Sequence, residues 1–269
     1  MAWRVAFITG GGSGIGRRIA EMLLAEGCKV AVFDRSGADA ARPSLELLAK
    51  RHHTDIGIWR ADVCDSGQLA EAIAEASARL GPPDLALNCA GIQDAQPFLA
   101  QSAEAFERVV SVNLLGSRNF AAAALPHMER GSQLALMASL AGLVPSYSYS
   151  AYNASKFGVV GLAGALRLDC VERGISVNTI CPPEVETPMV VEERKTMSIT
   201  GARLKGTAGT LQLEPACRSI VNQLKRNRSM VIPGVRARGV ALVARWFPGL
   251  MRWTSERIVL ATLPDKENR

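Results

Sequence analysis

Short apolar runs alternate with longer helical patterns along most of this chain, and that alternation limits its fold more than any other feature. The runs stand at 4–9 (RVAFIT), 29–33 (KVAVF), 56–60 (IGIWR), 84–88 (DLALN), 133–138 (QLALMA), 175–181 (ISVNTIC) and 230–232 (MVI). Their near-continuous apolar character suits strands buried on both faces. Helical patterns lie between them at 15–26, 38–51, 66–80, 103–129, 150–173 and 213–227. The sequence therefore predicts an α/β fold, a single doubly wound parallel sheet of about seven strands with helices on both faces.

A chain of 269 residues accommodates one such domain, here 1–233, without a second core. Residues 188–211 break the pattern with Pro188, mixed charges, Gly201, Gly206 and Gly209, and read as an irregular, mobile lid. Hydrophobic residues make up 48% of the chain and charged residues 21%, which excludes a disordered protein. The first apolar run, Trp3 to Thr9, is too short for a signal peptide and is already used as a strand. No stretch reaches the roughly 18 apolar residues of a spanning helix. The six cysteines form no CxxC pair and no metal-like cluster with the histidines, so they read as reduced packing residues of a cytoplasmic protein, and no metal is expected.

The first run leads into Thr9-Gly10-Gly11-Gly12-Ser13-Gly14-Ile15-Gly16. Small residues where a strand turns into a helix let the backbone approach a dinucleotide pyrophosphate, and the helix N-terminus offers free N–H groups. A glycine cluster alone also fits a plain tight turn, but Asp34 ends the second run where an acid would grip the ribose hydroxyls. A carboxylate there repels a 2′-phosphate, which favours NAD over NADP. Arg17, Arg18 and Arg35 oppose that reading, since any of them could meet a phosphate. Asp62 with Val63, and Asn88-Cys89-Ala90-Gly91, fall at carboxyl ends of strands, the edge where ligands bind. Asp62 is expected at the adenine edge, with a cap for the helix near Ser66 as the alternative.

Tyr152 and Lys156 stand four residues apart on a predicted helix, so they face the same way and one can tune the other. With the glycine turn they make a cofactor seat plus an acid/base pair. Over residues 3 to about 233 the chain resembles the short-chain dehydrogenase/reductase family, through TGGGSGIG at 9–16, NCAG at 88–91, Asn113 in SVNLLGS, Ser139 in MASLAG and YNASK at 152–156. The resemblance implies a Rossmann-like fold and a homodimer or homotetramer. It makes Tyr152 the acid/base and Ser139 a donor to the substrate oxygen. Lys156 would lower the Tyr152 pKa and hold the nicotinamide ribose, and Asn113 would interrupt its helix and hold a water. The loop after the sixth strand, with Pro182, Val185 and Thr187, would meet the nicotinamide. The family usually shows Pro-Gly where this chain has Pro182-Pro183, which stiffens that loop. The Pro-Pro-acid start, Glu192-Glu193 and the run ending in YNASKFGVVGLAGALRLD are similar to the 3-ketodihydrosphingosine reductase branch. That branch normally uses NADPH and carries a basic residue where Asp34 stands.

The net charge of +6 is uneven: nine basic residues against Glu256 alone give the segment 218–257 a charge of +8, leaving −2 elsewhere. The extension 234–269 is predicted to be helical, with Arg238, Arg245 and Arg252 forming one stripe that Pro248-Gly249 would kink or break. With Trp246 and Trp253, residues 234–253 read either as a helix lying peripherally on the inner face of an anionic membrane or as one packed on the substrate mouth or a second subunit. No nucleic-acid recognition motif accompanies the charge. The sequence thus points to an NAD(H)-dependent enzyme interconverting a secondary alcohol and a ketone on a hydrophobic substrate, a long-chain lipid first. A steroid or other apolar alcohol is the alternative within enzymes, and a non-catalytic nucleotide sensor the alternative outside them.

Overall fold

The computed structural model describes residues 3–36, 38–194 and 197–262. Its sheet takes β1 (Val5–Thr9), β2 (Lys29–Asp34), β3 (Ile56–Arg60), β4 (Leu85–Asn88), β5 (Gln133–Met137) and β6 (Ser176–Ile180). After a short pair, β7 (Glu184–Val185) and β8 (Thr210–Leu211), β9 (Met230–Val231) completes it. The seven strands are parallel in the order β3-β2-β1-β4-β5-β6-β9. The order reverses between β1 and β4, which opens a crevice at their carboxyl ends.

Helices α1 (Gly14–Ala25), α2 (Ala38–Arg51) and α3 (Ser66–Leu80) follow the first three strands. The chain continues through α4 (Ala103–Val110), α5 (Gly116–Ala124) and α6 (Ser150–Asp169), then α7 (Pro188–Glu193), α8 (Ile199–Gly206) and α9 (Leu213–Lys225). It ends in α10 (Val235–Trp246) and α11 (Pro248–Leu260). Strand alternation sends Phe7 to one face, where Phe33, Leu69, Ile73 and Phe120 are buried, and Ile8 to the other, with Ile19, Leu23, Leu45 and Ile220. Each such side chain contributes about 1.5–3 kcal/mol of transfer free energy.

Three expectations change. The helix predicted over 103–129 divides: at Asn113, where the resemblance implied an interruption, α4 widens into a π-helical turn at Ser111–Leu115 before α5, and a 3-10 turn at Leu125–His127 carries Pro126. The stretch 188–211 is not irregular, because it holds α7 and α8, and β8 pairs in parallel with β7. The C-terminal helix is two helices, since Phe247 leaves helical geometry and Pro248 starts α11 in its first turn. Arg252 consequently sits on a different helix from Arg238 and Arg245, and the single stripe does not form. Among the described residues no helix is long and apolar enough to cross a membrane.

Candidate active site

The turn between β1 and α1 takes shapes that only glycine accepts easily. Gly10 and Gly14 have φ of +62° and +53°, and a Cβ on Gly10 would lie 2.8 Å from the Ala90 amide nitrogen. A Cβ on Gly16 would run into the Gly10 carbonyl. Ser13 caps α1 without a side-chain hydrogen bond, leaving the first-turn N–H groups to the cavity that Ser13, Gly14 and Ile15 line. A turn of this shape has room for a pyrophosphate, and the residues present fit a nicotinamide dinucleotide. At the end of β2 the Asp34 carboxylate accepts the Gly12 and Ser36 amides, each at 3.0 Å, which ties the acid to the glycine turn. The three arginines that could meet a 2′-phosphate have internal partners: Arg17 with Glu21 at 3.0 Å, Arg18 with Glu21 at 2.7 Å and with Glu214, and Arg35 with Asp62 at 3.6 Å. Asp65, not Asp62, caps α3, accepting the Gln68 amide at 3.0 Å.

All the sequence candidates except Asn88 and Asn113 line one cavity of about 490 Å³ running across the crevice. Val63, Ala90, Gly91, Pro182, Val185 and Thr187 are among its walls, and Thr187 also caps α7. Asn88 is fully buried behind the cavity, where it bonds Thr9 and donates to Ser117 Oγ at 2.8 Å, so it supports the floor rather than forming it. Asn113 stands in the π-helical turn, also fully buried. Its side chain accepts the Ile92 amide at 2.8 Å and donates to the Ile92 carbonyl and Ser155 Oγ, at 2.9 and 3.0 Å. It thereby fastens the loop after β4 to α6, with Gly91 leaving room between Asn113 and Lys156.

Ser139, just past β5, and Tyr152 and Lys156, on the first two turns of α6, meet at one end of this cavity. Lys156 Nζ donates to the Met137 carbonyl at 2.9 Å and lies 5.6 Å from the centre of the Tyr152 ring. Burial lowers the Lys156 pKa from 10.5 to about 8. The sequence led us to expect Lys156 to lower the Tyr152 pKa. Instead burial dominates and pushes the phenol up to about 12, against an opposing hydrogen bond with Ser139. At neutral pH the site therefore holds a protonated tyrosine beside a buried lysine, a proton donor and a cation.

Sequence reasoning missed a second polar cluster on this cavity. Tyr149 is buried with its ring centre 6.2 Å from that of Tyr152, and its hydroxyl donates to Glu193, which Lys205 also bonds. Burial and the Glu193 contact raise the Tyr149 pKa. The neighbouring Glu184 is pushed up by burial, but hydrogen bonds from Arg194 and Thr210 outweigh that and hold its carboxyl below the usual range. These contacts pin α7 and α8 onto the catalytic end. Glu193 was visible only as one of two adjacent acids, and nothing in the local sequence marks Lys205. The C-terminal helices add Val240, Met251 and Ile258 to the same cavity. Cys64 is exposed, so it is not the packing residue expected, whereas Cys28, Cys170, Cys181 and Cys217 are buried.

Comparison with known proteins agrees with this geometry. The family described as short chain dehydrogenase matches residues 4–198. The 3-dehydrosphinganine reductase TSC10A of Arabidopsis thaliana is 35% identical over 82% of this chain and 68% of its own length. The D-beta-hydroxybutyrate dehydrogenase of Rhizobium meliloti is 32% identical over 71% of this chain and 74% of its own. A crystal structure of a short chain dehydrogenase from Mycobacterium paratuberculosis bound to NAD superposes with a TM-score of 0.77 at 25% identity, covering 85% of this chain and 94% of that one. With the glycine cradle, the Ser139–Tyr152–Lys156 cluster and the seven-stranded sheet between them, this chain belongs to the short-chain dehydrogenase/reductase family and is an oxidoreductase acting on CH–OH groups.

Proposed function

We propose that this enzyme uses NAD(H) to interconvert a ketone and a secondary alcohol on a long-chain lipid of 3-keto/3-hydroxy type. The observation that carries the reading is the meeting of Ser139, Tyr152 and Lys156 at one end of a cavity to which Val240, Met251 and Ile258 add apolar walls. The 3-dehydrosphinganine reductases among the relatives support a 3-keto lipid. The Asp34 carboxylate, held by two backbone amides, supports NAD.

The dinucleotide, when bound, supplies the hydride. Ser139 donates a hydrogen bond to the carbonyl oxygen, where negative charge builds as the carbon is reduced. The Tyr152 hydroxyl gives that oxygen its proton, completing the alcohol. The Lys156 ammonium stabilises the phenolate left behind until water reprotonates it. Asn113 acts as a positioning residue, holding the Ile92 loop against α6, and α7, α8 and α11 keep bulk water from the reacting atoms. Screening the purified protein against lipid and steroid ketones and alcohols, with each nucleotide, tests the reading. Turnover confined to steroids would overturn it.

Both groups act in their protonated forms, so activity is retained at low pH and lost as pH rises through the lower pKa. For Lys156 that is about 8 rather than 10.5. Reductive kcat/KM should therefore stay level through neutral pH and fall as pH passes about 8. A rate that climbs across that range contradicts the assignment.

The membrane-facing role expected of the extension belongs to the same proposal. Trp246, Phe247 and Trp253 are exposed, with Arg245 and Arg257 beside the two indoles. Such a surface suits an anionic bilayer, at roughly 1 kcal/mol per basic residue near it. The protein should pellet with phosphatidylserine vesicles at low salt and be released by high salt. Truncation after Gly234 should weaken pelleting and spare nucleotide binding. Full-length protein that ignores such vesicles at low salt would remove the membrane role.

A further inference from the structure

Beyond the catalytic cavity lies a second one of about 760 Å³, within the 300–1,000 Å³ common for small-molecule sites. It lies where the C-terminal helices meet α8 and the start of α6, and its lining includes Leu143, Phe157, Ala244, Val259 and Leu260. Pro145, Ser146, Leu204, Met251 and Ser255 line both cavities, so the two adjoin along these residues. Leu204 and Met251 are the largest of these shared residues, and the unbranched, flexible methionine adapts readily to a neighbour. The solvent edge is marked by Arg252 and Glu256, an exposed pair 3.9 Å apart. Both helices are anchored: Ala237 of α10 is buried against Leu140 and Ala208, and Thr262, just after α11, hydrogen-bonds Thr200 at 2.7 Å. It forms a built wall rather than a loose tail.

We propose that this second cavity is the seat of the substrate's unbranched alkyl chain. The chain would run from the carbonyl carbon at Tyr152, between Leu204 and Met251, into the apolar space under α10 and α11. The inference rests on the long-chain reading above and assigns the extension a task, selecting chain length. A lining that is mostly apolar and continues from the catalytic cleft suits an alkyl chain, with charge confined to Arg252 and Glu256 at the solvent edge. Each methylene that enters should raise kcat/KM about fourfold until the space is filled. Longer chains would then gain nothing more.

The test is a series of 3-keto lipids differing only in alkyl length, with Ala244→Trp and Val259→Trp to fill the cavity from two helices. Leu242→Trp, on the exposed side of α10, is the control. In both filling variants the ratio of long-chain to short-chain kcat/KM should fall at least tenfold, and in the control it should match wild type. Fluorescence of cis-parinaric acid measures chain binding without any reaction; wild type and Leu242→Trp should bind it and both filling variants should bind it weakly. Unchanged ratios and unchanged parinaric binding in folded filling variants would overturn the assignment. So would a wild-type dimer that Ala244→Trp and Val259→Trp convert to monomer, because the space would then be a subunit contact. If wild type binds parinaric acid, loses it in the filling variants, yet reduces none of the ketones, the chain seat stands and the proposed reaction fails.

Discussion

Tyr152→Phe should lower ketone reduction by about 10²–10⁴-fold, the range for losing a positioned proton donor. Nucleotide affinity should stay close to wild type, because the ring remains and only the hydroxyl is lost. The loss should fall on kcat rather than KM, since the proton is transferred only as the carbonyl is reduced. The structure sharpens this expectation. Burial holds the phenol at about 12, so nearly every molecule carries the proton at neutral pH. Tyr149 is close, but its hydroxyl is committed to Glu193. Single-turnover kinetics with tryptophan-quenching measurements of nucleotide binding provide both readouts. Turnover within a factor of ten of wild type would mean that another group supplies the proton.

The second large effect concerns the nucleotide. Asp34→Ser should shift the NADH-to-NADPH ratio of kcat/KM by roughly 10–100-fold toward NADPH, as expected when a charged hydrogen bond of about 1.5–3 kcal/mol is lost. Two changes contribute, removal of the ribose partner and removal of the charge that opposes a 2′-phosphate. Asp34 also holds the Gly12 and Ser36 amides, so Asp34→Asn, which keeps an acceptor oxygen, separates charge from loop support. Measured kcat/KM values with both nucleotides decide the matter. A wild-type enzyme faster with NADPH would defeat the NAD assignment and make Arg35, the most exposed of the three arginines near the site, the phosphate partner to test first.

What could be read in advance follows from how far each signal reaches. Strands buried on both faces write themselves as unbroken apolar runs, and β1, buried at all five positions, falls within RVAFIT. The cradle was legible because Gly10, Gly14 and Gly16 occupy backbone positions that few other residues tolerate. Tyr152 and Lys156 were legible because a helix brings i and i+4 together whatever surrounds it. Signals that depend on distant partners were not. Glu193 and Lys205 gain their meaning from Tyr149 across the fold, and Asn88 differs from a cavity residue only through Thr9 and Ser117 behind it. The helices of 188–211 are too short to show a hydrophobic period, and β7 and β8 have two residues each. Burial around Tyr152, which reversed the expected pKa direction, is likewise a property of the packed molecule and not of the motif.

Reduction of 3-ketodihydrosphingosine with NADH carrying deuterium at both C4 positions of the nicotinamide, followed by mass spectrometry of the lipid, tests the central claim most directly. The account predicts a 3-hydroxy product carrying one deuterium on the carbinol carbon, formed by wild type and reduced at least a hundredfold in Tyr152→Phe. No labelled alcohol from the wild-type protein, or equal labelling by Tyr152→Phe, would contradict it.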